Sequence, residues 1–184
     1  MIVRQTTKAL FAESLKELAQ FKPVDKITVK ELAKNCGLTA PTFYNNFRDK
    51  YDLAAWIYNQ EFDADFKNFR ASRDFEAFVY RCIEILFEDE IFYCNALKNF
   101  VGQNSFRYTT NDHAIKSMTT WLSERHELTA ELSCCLWFYM RAVSETINDW
   151  FLGGREISAR ELTKFLVEWM PSPLKPLLLN ATSE

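Results

Sequence analysis

Residues 27–47 read Ile-Thr-Val-Lys-Glu-Leu-Ala-Lys-Asn-Cys-Gly-Leu-Thr-Ala-Pro-Thr-Phe-Tyr-Asn-Asn-Phe, and this run leaves the chain few ways to fold. Val29, Leu32, Ala33 and Cys36 recur at i, i+3, i+4 and i+7, which is one face of a helix. Thr28 precedes that face and Glu31 follows three residues later. Together they form a capping box, in which each side chain accepts a backbone N–H that the first helical turn leaves free. Gly37 stands where a left-handed stop is wanted. A second helix then starts at once, with Thr39 as its cap and Pro41 tolerated in the first turn. Phe43 and Phe47, four apart, face inward, so Thr42, Tyr44, Asn45 and Asn46 point elsewhere. Two short helices across a tight turn, with the polar side of the second left free, are the layout of a DNA-binding helix-turn-helix.

Two such helices also occur as plain core of an all-α protein, and the flanks decide between the readings. Upstream, Leu10, Phe11, Leu15 and Leu18 form an apolar stripe on a helix of about four turns, predicted to end near Phe21-Lys22-Pro23. Downstream, Asp49 caps a fourth helix carrying Tyr51, Leu53, Ala54 and Ile57. This order of elements makes a compact head with its own small core. We set its boundary at residues 1–50, leaving 51–184 as a body whose expected ligand-binding and dimerisation roles rest on the helices, aromatic residues and family resemblance given below.

The charge follows the same division. Residues 1–50 carry nine Lys/Arg against five Asp/Glu, whereas the remainder carries thirteen against twenty. A basic head on an acidic body sets the attractive potential where phosphates would lie, although the whole chain is at −3.

The stretch Ile27-Thr28-Val29-Lys30-Glu31-Leu32-Ala33, then Gly37-Leu38-Thr39, Thr42-Phe43-Tyr44-Asn45-Asn46-Phe47, and Lys50 with Leu53 resembles the tetracycline-repressor (TetR) family of bacterial transcription regulators. At motif level the resemblance covers the first third of the chain; beyond it, length and helical character agree. Pro41 departs from the family, which most often has Gly or a small residue there. The resemblance implies that Tyr44 donates its hydroxyl to the DNA backbone and that Lys50 clamps a phosphate. By their own chemistry, Thr28 and Thr39 suit phosphate oxygens at helix N-termini. Thr42, Asn45 and Asn46, with Ala40, are candidates for base edges, and Pro41 lies among them.

The body is predicted to be helical throughout, giving an all-α chain of about nine helices. Phe62, Phe66 and Phe69 extend the fourth helix, and Asp74 caps a fifth. A sixth spans Glu90–Val101, and a seventh carries Ile115, Met118, Trp121 and Leu122. Thr129–Leu152 is the most apolar helix, stopped by Gly153-Gly154. Ser158 and Glu161 cap a last one, ended by Pro171 and Pro173. A helix apolar around most of its circumference needs cover on two sides. Its second cover is expected to be another copy of the chain, and the resemblance implies a homodimer through the last two helices. A dimer also reads two DNA half-sites about one helical turn apart.

Sixteen phenylalanines, seven tyrosines and five tryptophans exceed what a core of this size requires. Phe62, Phe66, Phe92, Tyr93, Phe100, Trp121 and Trp137, with His113 and Arg141, are candidates to line a pocket for a small-molecule effector. The alternative for each aromatic is simple core packing. Residues 137–155 with Ser158 and Glu161 also resemble the C-terminal half of the dihydroxyacetone-kinase-operon regulators within the family, which include an activator working with a partner protein. This keeps activation through a protein co-regulator as an alternative to repression. A helical interaction module that binds no DNA is a second alternative.

Catalytic and metal chemistry find little support. His113 and His126 make no metal-ligand pair at helical spacing, and no glycine-rich phosphate loop, nucleophile elbow or Cys-x-x-Cys occurs. We expect no enzyme and no cofactor. The five cysteines, odd in number and on apolar faces, are expected to be buried free thiols. With no long uncharged apolar stretch and no basic-then-apolar leader, the expected location is cytoplasmic, away from membranes.

Overall fold

A computed structural model describes residues 6–98 and 105–179, and every regular element among them is helical. The α-helices are α1 (Thr7–Ala19), α2 (Val29–Asn35), α3 (Ala40–Tyr44), α4 (Lys50–Ser72), α5 (Phe75–Glu88), α6 (Glu90–Lys98), α7 (Phe106–Ser123), α8 (Ala130–Leu152), α9 (Ala159–Glu168) and α10 (Lys175–Leu178). A single 3-10 turn, Val24–Lys26, lies between α1 and α2. The all-α class is as predicted. Two compact units divide the chain: Met1–Tyr58 with Asp89–Thr109, and Asn59–Glu88 with Thr110–Glu184. The sequence boundary at residue 50 divides the chain differently, because the first turns of α4, as far as Tyr58, and the whole of α6 group with the head.

In the first unit, α2 is set by its ends. Thr28 and Glu31 form both halves of the capping box. At the other end Gly37 has φ +69°, Leu38 N–H donates to the Ala33 carbonyl at 2.8 Å and Gly37 N–H to that of Lys34 at 3.3 Å. These paired bonds are a Schellman stop, which requires the left-handed residue glycine supplies at low cost. The buried Ser14 hydroxyl on α1 donates to the Leu32 carbonyl at 3.0 Å, and Asn35 donates to both Ser14 and Glu17. Those bonds fix α2 against α1. Phe11 meets Phe43 edge-on at 5.1 Å, and Phe43, Phe47 and Trp56 continue the contact from α3 into α4. Asn95 of α6 donates to the carbonyls of Ala19 and Lys22, closing the same unit behind α1.

The second unit is built on rings. Phe62, Phe66 and Phe69 of α4 pack on Phe75 and Phe78 of α5, and Trp121 of α7 meets Phe66 and Phe69. Each such burial stabilises by roughly 1.5–3 kcal/mol. α5 packs along α9. The Tyr139 hydroxyl of α8 donates to the Leu166 carbonyl of α9 at 2.8 Å, and burial holds that phenol above its ordinary titration range.

Several expectations need correction. α1 ends at Ala19, earlier than expected: the N–H groups of Phe21 and Lys22 both fold back to Leu18, and Phe21 is left 83% exposed. Pro23 disfavours helix in the residue before it, so the chain leaves the axis early. After Pro171 and Pro173 a further short helix, α10, forms with Pro176 in its first turn. The described helices therefore number ten α-helices, one more than expected. The last residues expected of the sixth helix, 99–101, lie outside the described residues. The cysteines are all free, but only Cys82 is buried; Cys36, Cys94 and Cys135 are half-buried and Cys134 is exposed. An apolar helical face does not have to turn toward its own core.

Candidate nucleic-acid interface

α3 is held by one residue and presented by the rest. Phe43 is fully buried, while Pro41, Tyr44 and Asn45 are exposed, Tyr44 at 60%, and Ala40, Thr42 and Asn46 are half-buried. Thr39 caps the helix: its hydroxyl accepts the Thr42 N–H at 3.3 Å and shares a hydrogen with the Thr42 hydroxyl at 2.8 Å. The Tyr44 ring rests edge-on against Phe43 at 5.5 Å, which fixes the direction of the phenol without burying it. Asn46 differs from Asn45. Its amide donates to the Thr42 carbonyl at 2.8 Å, so one of its donors is engaged within the helix.

Thr28 and Thr39 are both caps, yet their surroundings differ. The Thr28 hydroxyl donates to the Glu31 carboxylate at 2.8 Å, and the same carboxylate accepts the Thr28 N–H. Lys22 bonds that carboxylate too, and these bonds, led by the one from Lys22, hold Glu31 down to about 2. An anion therefore already sits at the start of α2. The first turn of α3 contains no acid.

The Lys50 ammonium donates to the carbonyls of Asp25 and Ile27 at 2.6 and 2.7 Å, and burial lowers its pKa. Two of its three donors thus fasten the turn before α2. By contrast, Lys30 and Lys34 are exposed on α2 and have no acid partner among the described residues. In the sequence they stand out only as part of the head's charge, although their four-residue spacing places them on one helix face. Arg48, also exposed, is paired with Asp52 at 3.1 Å.

The proposed effector residues fall into three groups. Phe62, Phe66, His113 and Trp121 cluster in the second unit: Phe62 stacks with Phe66 at 5.8 Å and meets His113 at 5.7 Å. Phe92 and Tyr93 are buried on α6 in the first unit. Trp137 is half exposed on α8, with the Arg141 guanidinium over its ring at 5.5 Å. Phe100 lies outside the described residues. No group of His, Cys, Asp and Glu suited to a metal occurs among the described residues, and no helix there is long and apolar enough to cross a membrane.

Residues 8–56, which contain this whole arrangement, match the family model of bacterial regulatory proteins, tetR family. No curated protein sequence matches the chain. Among solved structures it is similar to the dihydroxyacetone kinase operon activator DhaS, with a TM-score of 0.60 and 17% identity over 92% of this chain and 96% of that one. It is also similar to a TetR transcriptional regulator from Rhodococcus sp. RHA1, with a TM-score of 0.59 and 18% identity over 88% and 96%. A third is the fatty acid degradation regulator FadR from Bacillus halodurans, with a TM-score of 0.53 and 12% identity over 99% and 100%. At such identities the likeness carries the fold alone, while the match to the tetR family rests on residues 8–56, the N-terminal segment that holds the helix-turn-helix.

Proposed function

We propose that this regulator binds a palindromic DNA operator as a homodimer, represses transcription there, and is released by a small-molecule effector. The observation that carries the DNA reading is the split character of α3, with Phe43 locked in the core, Tyr44 and Asn45 exposed and Thr42 half-buried beside them. In this reading Tyr44, Thr39, Lys30 and Lys34 meet phosphates, while Ala40, Pro41, Thr42 and Asn45 lie against base edges. Thr39 is the better phosphate group of the two caps, because Glu31 already holds a negative charge beside Thr28. Lys50 acts first by holding the turn before α2 and offers its remaining donor to a phosphate.

The dimer reading rests on the outer face of α8 and α9. Trp137 and Phe138 are 50% and 64% exposed, and Phe165 stacks on the exposed Trp169 at 5.3 Å. Aromatic side chains of this size left in water mark a protein contact surface, and two-fold pairing of identical patches is the commonest use. Effector binding would act as a population shift. α4 starts beside the helix-turn-helix and runs on into the aromatic cluster, so a ligand that prefers one position of α4 would alter half-site spacing.

Selection of duplexes from a random pool tests this reading. It predicts a palindrome with half-sites about one helical turn apart, or a multiple, bound by two chains. Recovery of single, unpaired sites would contradict the dimer; no enrichment would contradict DNA reading. A promoter fusion then reads the sign. Transcription that rises with this protein would favour activation, for which the exposed α8–α9 aromatics would serve a protein co-regulator instead of a second copy.

A further inference from the structure

Basic side chains gather along a groove of the acidic body. α4 and α7 run side by side in the second unit, joined by His113 Nε2 to Asp63 at 2.6 Å and by Arg70 to Glu124 at 3.4 Å. Between these two bridges lies an open groove of about 530 Å³ floored by Phe66 and Trp121. Its walls carry Lys67, Arg70 and Lys116, the last paired with Asp112 at 2.7 Å, with the hydroxyls of Ser117 and Thr120. Arg73 and Arg125 sit over the Trp121 ring at 4.4 and 5.3 Å. Five of the thirteen Lys/Arg beyond residue 50 thus line this groove or stack on the tryptophan of its floor, in a part of the chain with twenty acids. Lys67 and Arg73 have no acid partner among the described residues. Trp121 also has a buried indole N–H without an acceptor.

We propose that this groove binds a small carboxylate with an apolar body, and that this is the effector; the second clause rests on the effector reading above. The floor would take the apolar part. Lys67, Lys116 and the adjacent guanidinium of Arg70 would hold the carboxylate, since charge-assisted bonds of this kind are the strong ones and Arg70 is only loosely paired with Glu124. The volume is that of an ordinary small-ligand site. A carboxylate bridging Lys67 of α4 and Lys116 of α7 would also favour the α4–α7 spacing of the bound form.

The probes are 4-phenylbutyrate and octanoate, with 4-phenylbutanol and inorganic phosphate as controls, titrated calorimetrically into the full chain. The expected result is saturable binding of at least one carboxylate, with the alcohol and phosphate each at least tenfold weaker. A Lys67→Met, Lys116→Met double variant should lose at least tenfold, and Lys67→Arg should retain binding. Equal binding of the alcohol, equal binding of phosphate, indifference to the double variant, or no binding by either carboxylate would overturn the site. Operator affinity measured with the same compounds separates the two claims. Carboxylate binding without a change in operator affinity would support the site and contradict its effector role.

Discussion

The outer faces of α3 and of α8–α9 are both exposed, and they expose opposite chemistry. α3 shows water a threonine, an asparagine, a proline and one tyrosine phenol, with Lys30 and Lys34 nearby. The α8–α9 face shows two tryptophans and two phenylalanines. α3 is the shorter element by far, yet its inward residue Phe43 is wholly buried; α8 is long, yet it leaves Trp137 and Phe138 uncovered. The difference teaches that what a helix leaves uncovered identifies the class of its partner better than its length or apolar content does. A hydrogen-bonding, basic face suits a charged polymer whose edges present donors and acceptors. An aromatic face suits another apolar protein surface.

The largest expected effect breaks the second half of that comparison. Trp137→Glu with Trp169→Glu should weaken the proposed dimer by about 1000-fold or more, taking roughly 1 kcal/mol or more for each of the two aromatic anchors in each of the two copies. Sedimentation velocity reads it, with circular dichroism expected to stay helical; a variant that remains dimeric would remove the aromatic face from the account. Phe43→Ala is next. It should cost about 3–5 kcal/mol of head stability by emptying a fully enclosed site. Phe138→Ala in the glutamate background should change denaturation by less than about 0.5 kcal/mol. Equal losses at the two phenylalanines would erase the contrast between held and uncovered rings.

Smaller effects sharpen the first half. Tyr44→Ala should weaken operator binding by roughly tenfold while leaving the melting temperature nearly unchanged, since its ring is mostly in water. Lys34→Ala should lower the slope of log affinity against log salt by about 1. Gly37→Ala should cost about 1–2 kcal/mol, through backbone conformation alone, because no atom stands within 4 Å of the added methyl. Acid gives the mildest test. Glu31 is held at about 2, below the ordinary 4.5, so its contribution is present above 4.5 and is lost as pH falls toward 2. Glu31→Gln should flatten the acid denaturation profile across that window; an unchanged profile would show that the capping carboxylate contributes nothing there.

The local rules were legible in the sequence because each concerns neighbours along the chain. Thr28 with Glu31, Gly37, Thr39, Asp49, Asp74, Thr129 and Ser158 with Glu161 all make the end-of-helix bonds or dihedrals their residue types suggest. Phe43 and Phe47 face inward as their spacing implies. What periodicity could not separate was a core face from a face awaiting a partner, so Cys134 was expected inside and lies outside. Nor could it foresee that Lys50 would turn to carbonyls of the turn before α2, or that Asn46 would bond its own helix. Lys67 and Lys116 come together only because α4 and α7 lie side by side. Those facts belong to tertiary packing, which local spacing does not encode.

The most direct test of the account is fluorescence anisotropy with the DNA just upstream of the gene, or the selected palindrome, against its isolated half-site across a salt series. Wild type should prefer the whole palindrome by at least 100-fold, bind as two chains and weaken steeply with salt, and the Trp137→Glu, Trp169→Glu variant should lose that preference. Equal affinity for palindrome and half-site, or binding indifferent to salt and to Tyr44→Ala, would contradict the claim that two helix-turn-helix heads read one operator.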